Sequence, residues 1–280
     1  MSYHVLAQYT PKDIERMKSE FVKGMVKTKM LKIAPNPDEL FKLKTSNPDG
    51  SPKFSPLFWS VQSLQSYPDL AHFAIPIMAW TIEGLMFRNE IANFNSIVGV
   101  PEGAKTSAAN ISYLIRKPLV AIRKEAKTHG QGGGRIIGEL NPEDTVLGIE
   151  DVITTGMSII GDCALTLRME TRAKQEKAGL PLTYPSHVKD VVVMLDREDG
   201  GRENLADGLY KFSPFGEEVI ANPYYPNPIR LHAALTQTEA IKYWEPTTDD
   251  EKKMKPVVEE YLHNLAEKQA ALRAGKINQK

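Results

Sequence analysis

Only one cysteine, Cys163, occurs in the 280 residues, so no disulfide can close within the chain. Neither sign of charge is in excess: 35 Lys and Arg balance 35 Asp and Glu. No chain-wide field therefore favours nucleic acid or an anionic membrane. CxxC and HExxH are both absent, which leaves no readable zinc site. No uncharged apolar run approaches the ~20 residues that span a bilayer. The opening Met1-Ser2-Tyr3-His4 carries no apolar signal core. These absences predict a cytoplasmic protein, or one of a comparably reducing compartment, with no nucleic-acid or membrane partner. No internal repeat or low-complexity block is present.

What the chain does have is concentrated in a few segments. Val146-Leu147-Gly148-Ile149 is apolar without alternation, as in a strand buried on both faces of a parallel sheet. Glu150 and Asp151 follow, a carboxylate pair suited to sugar hydroxyls or to water on a magnesium ion. Then come Val152, Ile153, Thr154, Thr155, Gly156, Met157 and Ser158. The hydroxyls can hydrogen-bond a phosphate, and Gly156 lets the backbone turn tightly beside it. A helix starting there would aim free N–H groups and its positive dipole end into the turn, making a monophosphate cradle. Taken alone, the same residues would also make a strand–turn–helix whose Thr and Ser merely cap the helix.

A second segment is basic. Arg123, Lys124, Lys127 and His129 fall within seven residues, and glycines 130 and 132–134 follow directly. Such a stretch is too polar to bury and too glycine-rich for a helix, so it predicts a mobile loop at a strand end. Cations on such a loop can close over a polyanion; a solvated surface loop is the plainer alternative. Three further segments end in turns. Phe41 to Phe54 reads as two short strands around a Pro/Gly turn. Ile97 to Lys105 is a strand running into a glycine turn, where Lys105 can offset Glu102. Val191 to Gly201 is a β-branched strand entering the acidic-basic turn Asp196-Arg197-Glu198-Asp199. Arg197 could pair with Asp196 or Asp199 there, or present its fork to a ligand carboxylate.

The strand, acidic pair and Thr/Gly turn at 146–158 resemble the phosphoribosyl pyrophosphate loop of the type I phosphoribosyltransferases, with Glu150 where the family usually has Asp. RKEAKTHGQGG at 123–133 resembles the catalytic loop of the orotate phosphoribosyltransferase family more specifically. The 41–54 and 191–201 segments resemble that family's FxLKSGxxSPxF and VDRxEGG motifs, although the first carries Thr-Ser for Ser-Gly and two extra residues, Pro48 and Asp49. The resemblance covers about residues 12–210 and implies transfer of a phosphoribosyl group to orotate, with Mg2+ carried by the substrate and bound directly by no side chain. It implies that Lys127, His129 and Asp151 are catalytic. Lys44, Arg123, Lys124, Lys127, His129 and the run Glu150, Asp151, Val152, Ile153, Thr154, Thr155, Gly156, Met157 and Ser158 would bind phosphoribosyl pyrophosphate. Phe54, Ser55, Thr154 and Arg197 would bind orotate. It also implies a homodimer sharing the 123–135 loop between subunits. A phosphoribosyltransferase for another base, or a non-catalytic sensor of phosphoribosyl pyrophosphate, would keep the same anchor loop.

The expected fold is α/β: a type I phosphoribosyltransferase-like parallel sheet flanked by helices, a small N-terminal hood and a C-terminal helical extension. Strands are predicted near 97–100, 118–122, 145–149 and 188–195, and helices near 104–116, 157–178 and 202–208. Residues 12–30 and 68–90 read as earlier helices. The phosphoribosyltransferase domain is predicted over 1–212, with its hood at about 12–65 and core at about 68–212. The extension, 213–280, reads as irregular and proline-punctuated, then helical: a capping Thr opens a helix near 236–240, and 249–273 is charged with Val257, Val258, Tyr261, Leu262 and Leu265 on one stripe. Cys163, inside the helix after the phosphate turn, is expected to be a buried apolar residue.

Overall fold

The computed structural model describes residues 4–46, 51–127, 134–182, 187–207, 209–210, 220–221 and 228–273. Its centre is a six-stranded sheet. The strands are β5 (Ser96–Gly99), β6 (Leu119–Lys127), β7 (Gly134–Ile137), β8 (Val146–Ile153), β9 (Val188–Asp196) and β12 (Arg230–Thr236), in spatial order β12-β9-β8-β5-β6-β7. All neighbours are parallel except β6 and β7, an antiparallel hairpin at one edge. The unbroken apolar runs of β8 and β9 are explained by cover on both faces. Leu147, Ile149 and Val192 join one core cluster, and Val146, Val191 and Val193 join the other.

Helix α3 (Pro68–Phe87) lies in the first cluster with α1 (His4–Gln8), α2 (Pro11–Lys27) and α4 (Lys105–Leu114). By length and composition α3 is the one helix among the described residues that could cross a membrane, yet 61% of its apolar window is buried inside the protein. Its buried Glu83 accepts hydrogen bonds from Val5 N and Leu6 N, both at 2.8 Å, and so caps α1. Helix α2 begins with a reciprocal capping box: Asp13 N donates to Thr10 Oγ1 at 3.2 Å, and Thr10 N to Asp13 Oδ2 at 3.0 Å. Ile14, Met17, Phe21 and Met25, at near-helical spacing along it, are buried.

The opposite face carries a π-helical turn, Ile159–Leu165, continued by α5 (Thr166–Lys177), and then α6 (Gly201–Asp207). The hood is two small antiparallel pairs: β1 (Leu31–Ile33) with β4 (Leu57–Trp59), and β2 (Phe41–Ser46) with β3 (Pro52–Ser55). A short pair, β10 (Leu209–Tyr210) and β11 (Ile220–Ala221), precedes β12. Helices α7 (Gln237–Ile241) and α8 (Asp249–Arg273) close the chain.

Three features differ from the sequence reading. The basic segment is not loop from residue 122: β6 continues to Lys127, which pairs with Gly134 of β7. The helix expected over 157–178 has its first turns wound as π rather than α. The stretch read as irregular up to the 236–240 helix contains β12, a sixth sheet strand beside β9. Thr236 does cap α7, its hydroxyl accepting from Glu239 N at 3.1 Å.

Candidate active site

In a parallel sheet a crevice opens at the carboxyl ends of the strands, where successive turns leave opposite faces. Here the turns after β5, β8 and β9 pack against one another. A Cβ added at Gly103, in the β5 turn, would stand 2.5 Å from Asp151 Oδ2. A Cβ at Gly201, after β9, would stand 2.5 Å from Thr154 O. The approach of Gly201 to a backbone carbonyl needs glycine, and Gly103 brings the β5 turn against the Asp151 carboxylate, so the glycine turns and the acidic pair lie together.

Glu150 and Asp151 differ in environment. Glu150 is 7% exposed, and its Oε1 accepts from Asp151 N at 2.9 Å. Burial, reinforced by the neighbouring Asp151, raises its carboxyl well above the usual glutamate range. Asp151 is half-buried, with Oδ1 accepting from Val152 N at 2.8 Å. The pair thus offers one carboxyl that tends to keep its proton beside one more accessible carboxylate, a combination suited to vicinal sugar hydroxyls.

The turn after β8 has the predicted strand–turn–helix form. Gly156 lies at φ +78°, where L side chains are strained, and a Cβ there would meet Leu205 Cγ at 3.0 Å. Asn204 of α6 donates to Thr155 O at 2.9 Å and braces the turn from behind. Val152, Thr154, Thr155 and Met157 are half-buried and Ser158 is exposed, while Ile153 is buried beneath them. Cys163 lies fully buried in the helix that follows, its thiol pushed up by burial, as its apolar setting predicts.

The basic hairpin brings fewer free cations to this edge than its composition suggests. Arg123 turns across the hairpin, Nη1 donating to Gly134 O at 3.3 Å, and its own carbonyl accepts from Arg135 Nε at 3.0 Å. Lys124 is exposed. The backbones of Lys127 and Lys44 belong to β6 and β2, but both side chains, and all of His129, lie outside the described residues.

The third part of the site is a buried polar cluster between the hood and the β9 turn. Arg197 is 9% exposed and approaches Asp199, Nη2 to Oδ2, at 3.2 Å. Lys53 of β3 reaches the other oxygen of Asp199 at 2.5 Å. The Asp199 partnership foreseen as an alternative for Arg197 therefore exists, though inside the protein and not on its surface. It leaves much of Arg197 unused: Nε and Nη2 are buried without an aligned hydrogen bond, and so is Asp199 Oδ2. Two cations around one carboxylate leave the cluster one positive charge in excess. Backbone contacts fix the turn. Gln237 Nε2 donates to Arg197 O at 3.3 Å, and Trp59 Nε1 to Gln237 Oε1 at 2.7 Å. Glu198 Oε2 accepts from Thr238 N at 2.8 Å and from its hydroxyl at 2.6 Å.

Of the two hood residues expected at the base, Phe54 is 48% exposed. Ser55 is fully buried, and its hydroxyl is engaged with the backbone, donating to Leu57 O at 2.9 Å and accepting from Leu57 N at 3.1 Å. Lys53, Asn204 and Gln237 were not singled out from sequence, and Asp199 only as a partner for Arg197. Lys53 and Asp199 stand in segments that were, but nothing local predicts a partnership across 146 positions. Among the described residues, no group of three or more His, Cys, Asp or Glu could hold a metal ion.

No protein-family model matches the chain. It is 34% identical over 152 residues to uridine 5′-monophosphate synthase of Bos taurus, a match spanning 54% of this chain and only 27% of that protein. It is 31% identical over 192 residues to orotate phosphoribosyltransferase of Thermococcus gammatolerans, spanning 69% of this chain and 84% of that one. Among solved structures, Leishmania donovani UMP synthase superposes with a TM-score of 0.53 at 21% identity, over 87% of this chain and 42% of that one, a likeness of fold. The 31% identity across more than four-fifths of the Thermococcus enzyme, on the fold described, places the chain in the orotate phosphoribosyltransferase family.

Proposed function

We propose that the protein transfers the 5-phosphoribosyl group of phosphoribosyl pyrophosphate to orotate, giving orotidine 5′-monophosphate and pyrophosphate in pyrimidine synthesis. The observation that carries this choice of base is Arg197. Its Nε–Nη2 edge is buried with no aligned hydrogen bond, only the 3.2 Å ion pair from Nη2 to Asp199, and its cluster has one positive charge in excess. A planar base bearing one carboxylate supplies the missing charge and matches the fork in bidentate geometry. A neutral base would leave the edge unsatisfied.

Transfer needs the base nitrogen held near a ribosyl carbon that becomes cationic as pyrophosphate departs. Thr154, Thr155, Gly156 and Ser158 anchor the 5′-phosphate. Glu150 and Asp151 hold the ribose hydroxyls, and Arg197 orients the base. Lys127 and His129 of the hairpin loop would offset charge on the leaving pyrophosphate. The loop would act in the neighbouring subunit of a homodimer. With few side-chain oxygens on offer, a magnesium ion would be held mainly by the donor's oxygens, with Glu150 and Asp151 as the carboxyls that could hold its water, and would supply charge neutralisation of the pyrophosphate. Purified protein incubated with orotate, phosphoribosyl pyrophosphate and Mg2+ should consume orotate absorbance only when all three are present. Turnover of uracil or a purine in place of orotate would overturn the reading.

A further inference from the structure

Helix α8 has a stripe that serves packing and one residue that does not. Asp249, Asp250 and Glu251 fill its first turn, where negative charge suits the helix dipole. Met254, Val258, Leu262 and Leu265 are buried, at spacings of four, four and three. Tyr261 lies beside this stripe and packs against the first core cluster. Its hydroxyl is buried and makes no aligned hydrogen bond. Instead it stands next to Ser55, Arg197 and Asp199, the groups that surround the proposed base site. A phenol normally finds a partner when buried, because an unmade hydrogen bond there is costly. The phenol and Arg197 Nε thus lack an aligned hydrogen bond beside an Arg197–Asp199 ion pair that is itself misaligned at 3.2 Å, so polar capacity is left over at one place, where a ligand can take it up.

We infer that α8 delivers Tyr261 into the base site, where its hydroxyl hydrogen-bonds the bound base beside the carboxylate gripped by Arg197. Tyr261 is then a base-recognition residue some 60 positions beyond the last motif of the site, and the C-terminal helix is part of the catalytic unit. The Ser55 hydroxyl spends its proton on Leu57 O and accepts from Leu57 N, so its contact with the phenol is a secondary one and the phenol has donor capacity for a bound base. Burial, with Asp199 close by, raises the phenol's pKa and keeps it a donor at neutral pH. The inference rests on the orotate reading above.

The test is steady-state kinetics on the full chain, varying orotate at saturating phosphoribosyl pyrophosphate and Mg2+, for wild type and Tyr261→Phe. The substitution keeps the ring and its packing and deletes only the hydroxyl. KM for orotate should rise about tenfold, the worth of one buried hydrogen bond. KM for phosphoribosyl pyrophosphate and the thermal midpoint should stay put, which a purely structural role would not produce. Equal orotate KM in both proteins would overturn the inference while leaving the orotate reading standing. A wild type that binds and turns over no orotate would overturn the reading, and the inference with it. Tyr261→Leu, which also removes the ring, should raise orotate KM at least as far; if its orotate KM stayed at the wild-type value, the hydroxyl would have no role in recognition.

Discussion

Arg197 is held by its neighbours yet left unfilled by them. Its carbonyl is fixed by Gln237, its charge is met by Asp199, and its Nε–Nη2 edge has no aligned partner. If the guanidinium serves only as a charge for Asp199, Arg197→Lys should be nearly silent. If the edge binds the base, that variant keeps the charge and loses the fork. We expect orotate KM to rise about 10- to 100-fold with little change in KM for phosphoribosyl pyrophosphate, and an unchanged orotate KM would remove Arg197 from the base site. Glu150 makes a different prediction. Its carboxyl titrates well above the usual 4.5 in the fold. Below that value both folded and unfolded chains hold the proton, so pH has no leverage through this residue. Above it the unfolded chain ionises first and binds fewer protons, so stability falls as pH rises towards the folded-state value. Glu150→Gln should therefore raise the thermal midpoint at neutral pH and flatten its decline between acid and neutral. An identical pH profile in both proteins would show that the buried carboxyl carries no such penalty.

The phosphate turn shows how local chemistry sets an element. Its one left-handed residue, Gly156, faces Leu205 of α6. Gly156→Ala would impose both the strain of a positive φ and a contact against Leu205, and should cost about 1–3 kcal/mol of stability. If the same turn receives the phosphate, as proposed, KM for phosphoribosyl pyrophosphate should rise with it. A fully stable variant with normal KM would mean the turn adjusts freely. This element, like β8 and β9, was legible because burial on both faces imposes a continuous apolar run, and a tight turn imposes glycine. The hairpin of β6 and β7 was less legible. Its outer half is almost wholly charged over Arg123-Lys124-Glu125-Ala126-Lys127, and at a sheet edge only backbone pairing to the returning strand, as between Lys127 and Gly134, makes that a strand. Strand β12 hid for a related reason. Arg230 and His232 interrupt its apolar pattern, and both are explained only by Asp190 on the adjacent strand, at 2.8 and 2.9 Å. A pattern set by a distant partner cannot be read from its own neighbours.

At the scale of the whole molecule the active site is a joint between parts. The hood is tied to the sheet by Lys53–Asp199 and Trp59–Gln237, α2 to α7 by Lys18–Glu239 at 2.7 Å, and α8 reaches back through Tyr261. Every one of these links joins residues far apart in sequence, so the motifs located the turns of the candidate site but not what holds them together. The basic loop is proposed to extend this logic across a subunit boundary. If Lys127 of one chain serves the Arg197 site of its partner, two damaged chains can repair each other. Lys127→Ala and Arg197→Ala homodimers should each be nearly inactive. In a heterodimer one site has both lesions and the other has neither. Random re-pairing of equal amounts makes half the dimers mixed, each with one intact site of two, so about a quarter of wild-type activity should return. Dissociating and re-associating the two purified variants together measures this directly. Activity no greater than the average of the two parents would place each loop over its own subunit's site and remove the shared-loop arrangement.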